Sequence, residues 1–177
     1  MQILLFSGHA QSGKSTVAFM VKDILESRGK KVLKIAYADL VKHICKQYFG
    51  WDGNKDEVGR TILQNIGTDI IRAKNPNYWV DFVINFVKLF EDEFDYVVID
   101  DLRFISEIER WDTDDIWDTL TIRITRENYI SSLTDLQKIH SSEVSLDEYN
   151  FDYYIKAKDF LELSKEVFKF TEYLEGK

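Results

Sequence analysis

Eight consecutive residues, Gly8-His9-Ala10-Gln11-Ser12-Gly13-Lys14-Ser15, with Thr16 behind them, satisfy G-x-x-x-x-G-K-[ST]. That order of residue types has a definite chemistry. Glycines at its two ends let backbone N–H groups curl around phosphate oxygens, and a helix beginning there adds the positive end of its dipole. Lys14 has the reach and charge for β and γ phosphates, and the Ser15 hydroxyl is placed to ligate Mg²⁺. Such a loop means something only between a buried strand and a helix. Ile3-Leu4-Leu5-Phe6 supplies the apolar run before it. Val17, Ala18, Val21, Ile24 and Leu25 supply one helical face after it. An ordinary glycine turn would carry neither flank. The expectation is that Gly8–Thr16 binds a nucleoside triphosphate.

Other candidates lie where strands should end. Asp100-Asp101 closes the apolar run Tyr96-Val97-Val98-Ile99, the place where nucleotide enzymes put a carboxylate near Mg²⁺. Asp100 continues the run directly and is the expected metal-side residue, against a plain turn or helix-cap pair. Arg103 should point into the same crevice; it also reads as an i,i+4 helical partner of Glu107. Arg126 ends the strand Thr121–Thr125 and faces the ligand side better than Arg123, which is mid-strand. It could stabilise charge on a transferring phosphoryl group or be a solvated surface arginine. Arg60 and Gln64 are i,i+4 neighbours on the expected helix 58–72, which also carries Arg72. A guanidinium beside an amide suits a phosphate and a base edge, and equally an ordinary polar helix face.

Three further features are set aside. His140-Ser141-Ser142-Glu143 has no second histidine at a useful spacing, since His9 and His43 are scattered, and is read as loop-anchoring. Cys45 on an apolar helix face reads as a small buried hydrophobe. Asn54-Lys55-Asp56-Glu57 and Asp56-Glu57-Val58-Gly59 imitate guanine-reading and switch motifs of GTPases. They overlap, follow no strand, and the first ends in glutamate, so both are discarded.

The elements that must position these residues alternate. Strands are expected near residues 3–6, 31–37, 96–99, 120–125 and 153–157, with helices near 39–49, 58–72, 78–90 and 160–174. Gly29 ends the first helix, and Gly50–Asn54 and Asn75-Pro76-Asn77 break the chain between the middle ones. Strands alternating with helices imply a mostly parallel sheet covered on both faces, with ligands at the C-terminal strand ends. The 177 residues make one domain of ordinary size, with enough apolar residues (45%) for a core. A net charge of −8 argues against binding a nucleic acid polymer. A single cysteine excludes an intrachain disulfide and fits a reducing compartment. With no signal sequence and no apolar run near about 18 residues, a soluble cytoplasmic protein without a membrane partner is expected.

Taken together, several segments carry a resemblance. They are Gly8–Thr16, Ala36-Tyr37-Ala38-Asp39-Leu40-Val41-Lys42, and Gly59-Arg60-Thr61-Ile62-Leu63-Gln64-Asn65-Ile66-Gly67-Thr68-Asp69 with Arg72 and Trp79. Asp100-Asp101-Leu102-Arg103-Phe104 with Glu107, then His140–Glu143, complete the set. The chain resembles the deoxynucleoside monophosphate kinases of bacteriophages, relatives of the adenylate kinase fold. The resemblance implies a P-loop three-layer αβα fold with a five-stranded parallel sheet. It also implies a monophosphate-binding helical region, here about 38–92, and a lid, here about 126–142. It implies ATP with Mg²⁺ as donor and a dNMP as acceptor. Carried over by position, Gly8–Thr16 would serve ATP; Ser15 and Asp100 the metal; Asp39, Arg60, Gln64, Arg72 and Arg103 the monophosphate; and Lys14, Arg103 and Arg126 the transfer, Arg126 from the lid. The acidic pair departs from the family's single aspartate.

The reading is therefore transfer of the ATP γ-phosphoryl group to a dNMP by positioning and charge neutralisation. The acceptor phosphate is already nucleophilic, so no general base is required. Two rivals stand beside it: another small-molecule kinase on the same fold, acting on a phosphorylated metabolite, and an ATP-dependent switch that signals to a protein. Base preference is not encoded in any motif, and homodimerisation is left open.

Overall fold

The computed structural model describes residues 1–113, 117–129 and 133–176. The chain begins β1 (Gln2–Ser7), α1 (Lys14–Ser27), β2 (Val32–Ile35), α2 (Tyr37–Tyr48) and α3 (Glu57–Gln64). A π-helix (Asn65–Arg72) and α4 (Tyr78–Lys88) follow. Then come β3 (Tyr96–Leu102), α5 (Ile105–Asp112), β4 (Asp118–Arg126), α6 (Asp135–Lys138), α7 (Ser141–Val144), β5 (Tyr153–Ala157) and α8 (Phe160–Glu175). These elements form two compact units: Met1–Ile35 with Phe90–Lys177, and Ala36–Leu89.

The first unit holds a five-stranded sheet in the order β2-β3-β1-β4-β5, and every pairing is parallel. Ile3, Leu4, Leu5 and Phe6 of the central strand are all fully buried although successive side chains point to opposite faces. A strand covered on both sides needs apolar residues at every position, so the run is continuous rather than alternating. On one face Leu4, Phe6, Val98, Ile122 and Ile155 pack with Val17, Val21 and Leu25 of α1 and Val167, Phe170 and Leu174 of α8. Phe6 and Phe170 meet edge to face, their ring centroids 6.0 Å apart.

The register of β1 and β3 shifts at its C-terminal end. Leu5 pairs with Ile99 but Ser7 pairs with Leu102, so β3 holds one extra residue in the stretch containing Asp100 and Asp101. A bulge of this kind re-aims the side chains on either side of it. The aspartates thus lie within the strand, not beyond it as the hydrophobic run alone suggests.

The second unit is helical. The sequence pattern predicts one helix over 58–72, but the chain changes winding at Asn65 and continues as a π-helix to Arg72. The wider turn breaks the i,i+4 apolar spacing: Ile66 is buried, while Ile70 is 40% exposed. Gly67 permits a close approach, since a Cβ there would stand 3.2 Å from Val41 Cγ1. Its carbonyl accepts a 2.8 Å hydrogen bond from the indole N–H of Trp79, itself 1% exposed. A buried carbonyl left without its donor costs about 1–3 kcal/mol. Trp79→Phe, which keeps most of the ring and deletes the N–H, should therefore lower stability to urea by about that much. An unchanged unfolding midpoint would show that the Trp79–Gly67 bond does not hold the π-helix in place.

Candidate functional site

The phosphate loop leaves β1 at Gly8 and enters α1 at Lys14. Gly8 lies against β4: a Cβ there would be 2.4 Å from the Ile124 carbonyl oxygen and 2.6 Å from Ser12 Oγ. No side chain fits that gap, which accounts for the first glycine. Gly13 (φ 96°) turns the chain into the helix, and Gln11 also takes a left-handed conformation (φ 64°). Such positive φ values place successive N–H groups on the concave side of a loop, the arrangement that receives anions. Ser12 Oγ is buried with no hydrogen-bond partner among the described residues. That orphaned hydroxyl, on a loop of amides at a helix N-terminus, fits a phosphate ligand.

Lys14 is 8% exposed, and its Nζ donates to the Gly8 and His9 carbonyl oxygens at 2.7 and 2.8 Å. Burial, helped by the nearby Arg103 guanidinium, lowers its pKa from 10.5 to about 7; Glu143, Asp101 and Asp100 pull the other way. Asp101 outweighs Asp100 in that opposition. Asp100 is 5% exposed and its Oδ2 is 3.0 Å from Lys34 Nζ, whose charge sits 4.8 Å from the Phe19 ring centroid. Asp100 is thus ion-paired with Lys34, and both aspartates favour the charge on Lys14. The Ser15 side chain is on the exposed face of the first turn of α1.

Arg103 precedes α5 rather than belonging to it, so the helical i,i+4 reading with Glu107 is replaced. Glu107, fully buried, instead accepts the backbone N–H groups of Arg103 (2.8 Å) and Phe104 (3.1 Å) and caps α5. The Arg103 guanidinium reaches the Ser142 carbonyl at 2.9 Å and forms an ion pair with Glu143. Glu143 Oε2 accepts the N–H of Ala10 in the phosphate loop at 2.8 Å. His140 Nδ1 accepts the Ser142 N–H and stands 2.9 Å from Ser142 Oγ, fixing the start of α7.

Arg123, expected to be the less useful arginine of β4, also reaches the loop. It contacts Ser7 Oγ (3.2 Å), His9 Nε2 (3.1 Å) and Asp147 Oδ1 (2.7 Å). Arg126 is the last residue of β4, with its guanidinium over the Tyr129 ring at 4.8 Å; the Tyr129 hydroxyl bonds to Gln11. Beside the loop is a cavity of about 220 Å³ lined by residues including Ser12, Thr16, Arg126, Lys158, Phe160 and Leu163. Sequence reasoning missed its β5–α8 side. The only signal was that Ala157-Lys158-Asp159 ends a parallel strand, where crevices form. Of the expected lid, residues 130–132 lie outside the described residues.

The helical unit carries Asp39, Arg60, Gln64 and Arg72. Asp39 accepts the Ala36 N–H at 3.2 Å and pairs with Lys42 at 2.8 Å, capping α2. Arg60 Nε bonds the Lys55 carbonyl (3.0 Å) and Arg72 Nη1 the Pro76 carbonyl (3.2 Å). Gln64 is the last residue of α3, at the junction with the π-helix.

Among the described residues no three acidic, histidine or cysteine side chains form a metal cluster. The donor set still fits Mg²⁺, which takes one or two carboxylates and completes its shell with waters and substrate phosphates. The Ser15 hydroxyl and a carboxylate of Asp100 or Asp101 are donors of that chemical kind. No helix of the described residues is long and apolar enough to cross a membrane.

A five-stranded parallel sheet with this loop after its central strand is the P-loop kinase fold, and solved structures agree. The Mycobacterium tuberculosis APS kinase CysC in complex with AMPPNP and APS superposes with a TM-score of 0.57 at 14% identity, covering 98% of this chain and 97% of that one. A cysteine-to-alanine mutant of the same enzyme gives 0.55 at 13%, covering 98% and 96%. The hexameric APS kinase from Thiobacillus denitrificans gives 0.51 at 11%, covering 99% of this chain and 29% of that one. No protein-family model matches the chain, and no curated protein sequence does.

The low pKa of Lys14 has a thermodynamic signature. Unfolded, the side chain keeps its proton up to about 10.5; folded, only up to about 7. Between those values the unfolded state binds more protons, so this group makes stability rise with pH. The stability of the wild type relative to Lys14→Met should therefore increase from pH 7 towards pH 10.5, with a slope approaching that of one proton, about 1.4 kcal/mol per pH unit, in mid-window. Urea denaturation of both proteins across that range checks it. A difference independent of pH would mean that the ammonium is not desolvated.

Proposed function

We propose that this protein is an ATP-dependent kinase of small phosphorylated molecules and that its acceptor is a deoxynucleoside monophosphate. The observation carrying the reading is the convergence on one loop of Lys14, the Arg103 guanidinium and an orphaned Ser12 hydroxyl. The fold shared with a kinase solved with AMPPNP supports ATP as donor. The R-x-x-x-Q-x-x-G-T-D segment followed by D-x-R-F supports a dNMP as acceptor.

In this reading the amides of Gly8–Thr16 and the Lys14 ammonium hold the donor phosphates and spread their developing charge. The cavity beside the loop takes the base, with Arg126 and Phe160 against it. Arg103 neutralises the acceptor phosphate, and by the family resemblance Asp39, Arg60, Gln64 and Arg72 are candidate monophosphate-binding residues. Ser15 and Asp100 or Asp101 would hold Mg²⁺, which when bound supplies further charge neutralisation at the phosphates. The acceptor oxyanion attacks unaided, so the protein's part is alignment and exclusion of water.

A second reading, transfer to a different phosphorylated metabolite, is favoured by the named neighbours, which are APS kinases. ADP release from ATP·Mg²⁺, with each dNMP, each NMP and APS added singly, separates the two. Stimulation by one or more dNMPs is expected, falling at least about 100-fold in Lys14→Ala, as for loss of a key charge-stabilising group. Stimulation by APS alone would move the assignment to the second reading. Release indifferent to every acceptor would overturn both.

A further inference from the structure

In sequence Glu143 is only part of a loop anchor, yet its carboxylate occupies a position with chemical consequences. Its side chain is 9% exposed. One oxygen accepts the Ala10 N–H, inside the phosphate loop, and the other pairs with Arg103. The carboxylate is therefore an internal anion seated on a loop built for anions, and it holds the arginine that the proposed reaction needs for its acceptor.

The placement is fixed from several sides. His140 caps the short turn that carries Glu143, and the Ser142 carbonyl takes a second contact from Arg103. Four residues on, Asp147 accepts from Arg123 and stands 3.3 Å from His9 Nε2, again at the loop. The segment from His140 to Asp147 is thus fastened to two adjacent loop residues, His9 and Ala10. An amide N–H has one strong acceptor, so a phosphate oxygen and Glu143 cannot both fill that role at Ala10. A carboxylate left close to incoming phosphate would also repel it.

We infer that Glu143 is a positioning residue that exchanges with phosphate: it parks Arg103 beside the phosphate loop, and nucleotide phosphate takes its place on Ala10 and so frees Arg103 for the acceptor. The inference rests on the phosphate-loop reading above. It makes donor binding and Arg103 release one coupled event, which favours acceptor capture after the donor is in place.

The test is direct binding to the full chain, without turnover. Tripolyphosphate and ATP·Mg²⁺ are titrated calorimetrically into wild type, Glu143→Gln, Glu143→Asp and Lys14→Ala. Glu143→Gln keeps size and removes charge; Glu143→Asp keeps charge and withdraws it from Ala10. Hydrogen bonds to charged groups contribute about 1.5–3 kcal/mol, so each substitution should tighten binding of both probes by about tenfold or more. A residue that merely braces the loop predicts the opposite sign, weaker binding on its loss. Unchanged or weaker binding in a Glu143 variant whose circular dichroism is native overturns the inference while leaving the loop assignment intact. Failure of wild type to bind either probe, or equal binding by Lys14→Ala, overturns the phosphate-loop reading and the inference with it.

Discussion

The structure depends on holding a positive charge where water is scarce. Lys14 begins a helix whose N-terminal dipole already opposes a cation, and it is nearly buried against a parallel sheet. Two carbonyls of its own loop, an acidic pair at a strand end and a glutamate distant in sequence make that charge tolerable. Each compensating group is delivered by a different element, so the sheet order is a condition of the site. β3 must lie beside β1 to bring Asp100 and Asp101, and β4 on its other side closes over Gly8.

This arrangement also explains why the anionic surroundings are not self-defeating. The chain has a net charge of −8, yet the loop collects Lys14, Arg103, Arg123 and Arg126 within a short span of structure. Acidic partners balance two of them: Glu143 for Arg103, Asp147 for Arg123. A cluster of cations without such partners would repel itself, and each would lose pKa or order. Balanced in this way, the cations are kept in fixed positions at modest energetic cost, the condition for electrostatic preorganisation.

Most of the fold was legible because burial on both faces leaves a strong mark. Ile3–Phe6 and Tyr96–Ile99 are continuous apolar runs that could only be interior parallel strands. The phosphate loop was legible because its glycines answer to a close contact and a turn, both local. What was not legible was register and winding. Nothing in Asp100-Asp101 announces an extra residue in β3, since a bulge is set by the neighbouring strand. Nothing in Ile66–Ile71 separates an α-helix from a π-helix, and the groups that meet Gly67, Val41 and Trp79, come from other helices. Arg123 and Glu143 escaped for the same reason: their partners, His9 and Ala10, are more than a hundred residues away.

The π-helix makes chain length itself a carrier of information. Each residue of an α-helix turns the chain by about 100°. Removing any one residue between Asn65 and Arg72 would let the segment close as an ordinary α-helix, with every remaining side chain type unchanged. Arg72 would then keep roughly its direction, whereas the full-length segment wound as an α-helix would swing it by about that angle. The direction of that arginine is therefore written in the spacing of the segment, where a comparison of residue types alone would not find it.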